Sequence, residues 1–478
     1  MCDVMRHQKR PTMSAKILFI ILLYYFVPTS KSYFSTTKNI DQQCFCKLEG
    51  SIDDCSCNID TVDYFNNMRI YPRLQSLLIK DYFRFYKVNL KQPCPFWADD
   101  SKCAIRYCHV QQCQDDDIPV GLKGETRNHQ IYIEKKYDKY LSTNQMINCE
   151  QTAKDHNKEL GYLNTTISSE NYKEFERWQK HDDEQDNFCI TETSPGEYVD
   201  LLLNPEKYTG YKGPSAHRIW RSIYLENCFR PEKSTHNFIQ ASQMSGMCLE
   251  KRAFYRVVSG LHASINIHLC SKYLLPNQNN LGIVTTGAEW GPNLPEFQRM
   301  FSPDTTGGEG PNWLKNVYFI YLLELRALDK AAPYLKREEY YTGNDDGDEE
   351  TRQAVDDILE VVRSFPNHFN ESCMFNGGSE AIMLKEEFRQ HFLNVSRIMD
   401  CVGCDKCKLW GKLQVQGLGT ALKILFSGKF DEWSPTVNKN IDKRNFYLER
   451  SEIVALFNGL GRLSESIFEL ERFRQMMR

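Results

Sequence analysis

The chain has 478 residues, 41% of them hydrophobic and 12% aromatic, enough for a large core and too apolar for a disordered chain. A formal net charge of −4 leaves no electrostatic footprint for nucleic acid and no bulk attraction to an anionic membrane. The length allows about three average domains or one large helical enzyme, and 18 cysteines make sulfur the first chemistry to consider.

At the N-terminus Arg6, Lys9, Arg10 and Lys16 precede an apolar run over residues 17–27, followed by small and polar residues to Ser32. Eleven apolar residues span about 16 Å as a helix, half a bilayer's hydrocarbon. A secretory signal over residues 1–32 is therefore expected rather than a membrane anchor. The sequons at Asn164, Asn370 and Asn394 agree with entry into the secretory pathway and mark candidate glycosylation sites. Loss of Cys2 with the signal leaves 17 cysteines, so at least one thiol is free or pairs outside the chain. In an oxidising compartment most others should be bridged.

Next, Cys44-Phe45-Cys46 and Cys55-Ser56-Cys57 flank an eight-residue loop. A nested pairing, Cys44–Cys57 and Cys46–Cys55, would close a hairpin-like knot; two other connectivities and a four-cysteine zinc site remain open, although Cys-x-Cys is tight for zinc. Residues 91–120, rich in Pro, Asp and Cys, lack a sustained period and read as a loop or arm. Helical patterns then follow at 252–275, 315–331, 379–399, 413–426 and 451–476. The second of these is apolar around most of its circumference, through Val317, Phe319, Ile320, Leu322, Leu323, Leu325 and Leu328, and should be a central buried helix. The acidic run from Asn344 to Glu350 fails the EF-hand pattern and reads as a solvated loop, so no metal site is expected. With few alternating patterns and no internal repeat, the expected fold is mainly α. It is a single large helical domain (151–478) behind a cysteine-rich, loop-dominated N-terminal region (33–150), the two forming one folded unit.

The sharpest motif is Cys401-Val402-Gly403-Cys404-Asp405-Lys406-Cys407. An iron–sulfur run would need another cysteine before a proline, but Lys408-Leu409-Trp410-Gly411 follows. Zinc would need a second ligand pair. A bridge across two residues gains little chain entropy, whereas such a pair can close and reopen to carry two electrons. The segment leads towards a helical run whose N-terminal partial charge would favour thiolate, with Lys406 and Lys408 adding to it. A second pair, Cys103 and Cys108, lies on the arm with four residues between the two. One pair on an arm and one in the helical region form a relay: the outer pair meets a protein dithiol, the inner one an electron acceptor. Thiols do not reduce oxygen at useful rates unaided, and a flavin can accept two electrons and pass them on. No Gly-x-Gly-x-x-Gly follows a strand, so the flavin would sit between helices.

Cys94-Pro95-Phe96-Trp97, the Cys103/Cys108 pair, Tyr208-Thr209-Gly210-Tyr211-Lys212-Gly213, Ser259-Gly260-Leu261-His262-Ala263-Ser264-Ile265-Asn266 and the Cys401–Gly411 segment together resemble the endoplasmic reticulum oxidoreductin family, from about Cys44 to the C-terminus. The resemblance implies a helical FAD enzyme of the endoplasmic reticulum lumen that reoxidises protein disulfide isomerase and passes electrons to molecular oxygen, giving hydrogen peroxide. It implies Cys103 and Cys108 as the shuttle pair, Cys404 and Cys407 as the inner pair beside the isoalloxazine, and Cys94–Cys401 and Cys228–Cys248 as structural bridges. Lys207, Thr209, Trp220, Ser259, His262 and Arg299 stand at or near flavin contacts, with Trp220 and His262 flanking the adenine. Lys207 stands where many relatives have Arg, Arg299 is displaced by one position, and Asn312-Trp313 replaces a further Arg. Cys149 matches a regulatory cysteine, and Cys108 and Cys113 repeat the spacing of Cys103 and Cys108. The resting state would thus store the shuttle cysteines as Cys103–Cys149 and Cys108–Cys113. The C-terminus carries no Lys-Asp-Glu-Leu-type signal, so retention would rest on partners or peripheral association with the lumenal membrane face. The rival expectation is a disulfide-stapled lumenal binding or chaperone protein without oxidase activity.

Overall fold

The computed structural model describes Cys55 and residues 57–97, 108–123, 187–189, 196–207, 214–229, 244, 246–278, 284–365, 369–427, 446 and 448–478. In chain order these form α1 (Ile59–Phe65), a five-residue π turn (Asn66–Ile70), α2 (Tyr71–Leu78), α3 (Asp81–Arg84), β1 (Phe85–Val88), α4 (Val120–Lys123), β2 (Glu197–Asp200), α5 (Pro214–Arg221) and a second π turn (Ser222–Glu226). Then come α6 (Leu249–Ser271), β3 (Tyr273–Gln278), β4 (Val284–Gly291), α7 (Leu294–Phe301), α8 (Pro303–Thr306), α9 (Gly310–Leu335), α10 (Asp345–Arg363), α11 (Ser379–Ile398), α12 (Asp405–Phe426) and α13 (Arg450–Met477). The fold is mainly α, as the patterning implies.

Four long helices, α6, α9, α12 and α13, make the core, with α6 packed on α9 and α12 on α13. Helix α9 is its axis. Val317, Tyr318, Phe319, Ile320, Tyr321, Leu322 and Leu325 are all fully buried, because a helix apolar on every side can only be surrounded. Each of the aliphatic and Phe side chains among them contributes about 1.5–3 kcal/mol relative to exposure. Two glycines set the closeness of the crossings. A Cβ on Gly260 of α6 would run into the Asn316 carbonyl of α9, and one on Gly417 of α12 would meet the Ala455 carbonyl of α13. The core also holds a polar seam. Arg462 of α13 pairs with Glu206 and reaches Gln414 of α12, whose amide donates to Ser264 of α6 (3.1 Å). Lys423 and Glu452 form a buried ion pair at 2.7 Å, and Glu452 closes a capping box with Glu449 at the start of α13.

Two small antiparallel ribbons flank the helices. In the first, Phe85 pairs with Asp200 and Val88 with Glu197, and a bridge from Gln112 to Val199 adds the arm alongside. In the second, Tyr273 pairs with Gly291 and the register shifts between Leu275 and Asn277. Helix α6 therefore stops at Ser271, short of the expected 275, because the Tyr-Leu-Leu segment after Lys272 joins this ribbon.

The acidic run is not a solvated loop. Asn344 caps α10, accepting from Gly347 N–H, and Asp345, Asp346 and Asp348 occupy the first turn, where carboxylates complement the helix dipole. Asp348 is buried and accepts from Thr342 N–H at 3.0 Å. Nor are residues 59–84 loop-dominated: α1, α2 and the turn between them pack against α13. Among the described residues no helix is long and apolar enough to cross a membrane.

Candidate active site

Cys404 is the N-cap of α12, and its sulfur accepts from Cys407 N–H at 3.4 Å. The two sulfurs stand 2.7 Å apart, on residues only 3% and 2% exposed. Cys108, 7% exposed, packs against both, with Val402 at the edge. Cys108 is disulfide-bonded, and its partner lies outside the described residues, as do Cys103 and Cys149.

Charge near the pair comes from Lys406 and Lys207. Burial and then the neighbouring Lys207 pull the Lys406 ammonium below the usual lysine range, while the two thiols oppose this. Lys207 lies over the Trp290 ring at 4.9 Å. Lys408, expected to join them, instead donates to the Leu90 carbonyl at 3.2 Å. Lys412 does the same to Asn89 (3.2 Å) while paired with Asp400 (2.7 Å). These two bonds fasten the root of the arm to α12. The Cys94–Cys401 disulfide fastens it again, with a sequence separation of 307. Arg397 lies over Phe96 and Arg218 over Trp97, covering the corner around Cys94.

The aromatic residues converge on a second group. Trp220 of α5 and His262 of α6 stack directly, centroids 3.7 Å apart and 18° from parallel. They do not stand apart as separate walls; holding a purine between them would require about 7 Å, two stacking distances. Tyr224, one turn beyond Trp220, shares a 3.1 Å hydrogen bond with His262 Nδ1. Burial pushes the His262 imidazole down to about 3, so it is neutral at physiological pH. Ser259 accepts from Asn316 Nδ2 (2.9 Å), and Arg256 donates to Asn316 Oδ1 (3.0 Å). Stacked aromatics, a neutral imidazole and a hydroxyl are a set that fits the adenosine end of a flavin dinucleotide.

Other expected residues are placed differently. Arg299 is 58% exposed and forks onto Glu296 of its own helix at 2.8 and 2.9 Å. Thr209 and Asn164 lie outside the described residues. No bond joins Cys228, which is buried, to Cys248, which is exposed at the N-cap of α6. The Cys44–Cys57 bridge is also not formed: Cys57 is a buried thiol, pushed up to about 11 by burial, while Cys44 and Cys46 lie outside the described residues. Cys55 is buried beside it. Cys113 is a half-buried thiol against Phe85, Ile118 and Leu122, its pKa raised by burial and then by Asp200 and Asp117. Asn370 is exposed, whereas Asn394 lies covered on α11, so glycan transfer there would need the unfolded chain. Among the described residues no cluster of three or more His, Cys, Asp or Glu could hold a metal. Sequence reasoning missed Tyr224, although its i, i+4 spacing from Trp220 signals a shared face. It also missed Trp290 and Asn204, which carry no local signal.

Residues 69–470 match the sequence model of the Endoplasmic Reticulum Oxidoreductin 1 (ERO1) family. The chain is 51% identical to the Ero1-like protein of Drosophila melanogaster over 99% of both chains, and 49% identical to ERO1-like protein alpha of Homo sapiens over 91% of this chain and 92% of that one. Among solved structures, a mutant of S. cerevisiae Ero1p with two cysteines replaced by alanine superposes with a TM-score of 0.54 at 29% identity, covering 87% of this chain and 97% of that one. Ero1p is described as the source of disulfide bonds for oxidative protein folding in the cell (TM-score 0.52, 29% identity, 87% of this chain and 98% of that one). With a profile match over most of its length and relatives near half identity, this chain belongs to the endoplasmic reticulum oxidoreductin family of oxidoreductases.

Proposed function

We propose that the chain is an FAD-dependent thiol oxidase of the endoplasmic reticulum lumen that reoxidises protein disulfide isomerase with oxygen as final acceptor. The observation that carries this reading is the packing of disulfide-bonded Cys108 against the buried Cys404/Cys407 pair at the head of α12. An isomerase thiolate attacks the Cys103–Cys108 disulfide, and its second thiol resolves the mixed bond, leaving Cys103 and Cys108 reduced. The Cys108 thiolate then attacks one sulfur of an oxidised Cys404–Cys407 pair, and Cys103 resolves that bond, so two electrons move inward and the shuttle is oxidised again. The backbone N–H of Cys407 and the α12 dipole stabilise negative charge on Cys404 as the pair accepts electrons. FAD, when bound, supplies the two-electron acceptor that can hand electrons to oxygen and yield hydrogen peroxide. The stacked Trp220–His262 pair would offer its adenine one aromatic face, or part to admit it, and Ser259 would offer a hydroxyl. Lys207 would offer charge to the phosphates with Thr209 and Arg299, Arg299 only after leaving Glu296.

The test is spectroscopic as well as kinetic. The purified chain should be yellow and should consume oxygen with reduced isomerase. Trp220→Ala or His262→Ala should weaken FAD binding about ten-fold each, since a lost aromatic stack is worth roughly 1 kcal/mol and more with its buried area. Wild-type flavin content in both variants, measured by visible absorbance against protein mass, would refute this placement.

Regulation by the arm belongs to the same reading. A Cys108–Cys113 bridge takes a shuttle sulfur out of the relay. Cys113 is here a thiol with its pKa raised, which supports a released arrangement of the arm distinct from the stored one. Oxygen consumption from the resting enzyme should show a lag that shortens in Cys113→Ala, Cys149→Ala. An unchanged lag would remove the switch and leave the relay standing.

A further inference from the structure

We infer that Asn204 is a positioning residue that fixes the approach of Cys108 to the Cys404/Cys407 pair. Its side chain is 1% exposed in the turn after β2. Its Oδ1 accepts from Gln111 N–H at 2.7 Å, and its Nδ2 donates to the Gln111 carbonyl at 2.8 Å, as a neighbouring strand would. Nδ2 also donates to the Asp200 carbonyl at 3.0 Å, tying the clamp to β2. On the other side the Asn204 carbonyl accepts the indole N–H of Trp410 at 2.8 Å. Gln111 lies three residues after Cys108, and Trp410 three residues after Cys407. One residue thus holds both partners of the exchange, each one short segment from its sulfur.

The turn is itself anchored. Glu206, two residues on, is buried and paired with Arg462 of the core helix α13, while Asp200 pairs with Arg84 at 2.7 Å. Cys108 is therefore referenced to the rigid core through Asn204, independently of the Cys94–Cys401 staple at the far end of the arm. Gln111 is exposed, so water can replace the lost partners when the clamp is cut. The cost falls on the geometry of the handover more than on stability.

This inference rests on the relay reading, but its test needs neither isomerase, flavin nor oxygen. In a Cys103→Ala, Cys113→Ala, Cys149→Ala background, the Cys108 thiolate attacks the oxidised Cys404–Cys407 disulfide. The product is a Cys108 mixed disulfide with one inner sulfur and a thiolate on the other. Titration against a glutathione redox buffer, with quenched mass-spectrometric mapping, gives the effective concentration of Cys108 at the inner pair. Asn204→Ala should lower it about ten-fold, the equivalent of two neutral hydrogen bonds. Trp410→Phe, which removes only the indole donor, should lower it about three-fold, the melting temperature holding in both. Wild-type effective concentration in both variants would overturn the proposal. So would an equal loosening of the Cys94–Cys401 bridge in the same titration, which would mean general softening. A clamp that behaves as stated, in a protein whose wild-type chain consumes no oxygen with reduced isomerase, would refute the oxidase reading alone.

Discussion

Cys404→Ala and Cys407→Ala are each expected to stop oxygen consumption driven by reduced isomerase, by a factor of about 10³ or more, equivalent to at least ~4 kcal/mol of barrier. The reason is stoichiometric as well as geometric. Both sulfurs are needed to take two electrons, and Cys108 packs on this pair and on no other described cysteine. The flavin should remain bound, because the aromatic group around Trp220 and His262 belongs to α5 and α6 and not to α12. The isomerase should still reduce Cys103–Cys108 once, in a single stoichiometric burst detectable by thiol counting. Sustained turnover in either variant would mean that electrons leave the shuttle by another route.

The second large effect concerns the staple. The Cys94→Ser, Cys401→Ser double mutant closes no loop across the sequence separation of 307, for which the chain-entropy model assigns up to about 6 kcal/mol. The real loss should be smaller, because Lys408 and Lys412 still hold the Leu90 and Asn89 carbonyls. Denaturant midpoints should fall, and isomerase oxidation should fall further than reduction of the inner pair by a small dithiol, which needs no arm. If both the midpoint and the isomerase rate match wild type, the bridge neither stabilises the fold nor orients the arm.

Helical periodicity made the core helices legible, because each buries a face or, for α9, most of its circumference. Helix α10 was hidden by its charge: an acidic first turn reads as solvent-loving until Asn344 is recognised as its cap. The start of α12 was legible only in outline: a helix was expected beyond the cysteines from 413, and it begins at Asp405 because a cysteine serves as the N-cap where Ser or Asp is usual. Cysteine spacing pointed to the Cys401–Cys407 segment and the family resemblance to Cys404 and Cys407 within it; the structure adds that Cys108 meets them. Spacing could not reveal that Lys408 faces the arm or that Arg299 faces Glu296. Both are long side chains whose direction depends on neighbours hundreds of residues away or on a local partner. Asn204 was invisible for the same reason: its partners lie 93 and 206 positions distant.

The Cys94–Cys401 staple also imposes an order on biosynthesis. At roughly 5–20 residues per second, a ribosome needs about 15–60 s to cover the 307 positions from one sulfur to the other. Throughout that interval Cys94 emerges without its partner, in the company of Cys103, Cys108 and Cys113 a few positions on. Early oxidation would join neighbours to one another, so the mature arrangement depends on bonds being opened and re-formed after the last long helices have been delivered. A nascent chain of this kind therefore needs thiol–disulfide exchange to reach its own long-range bridge.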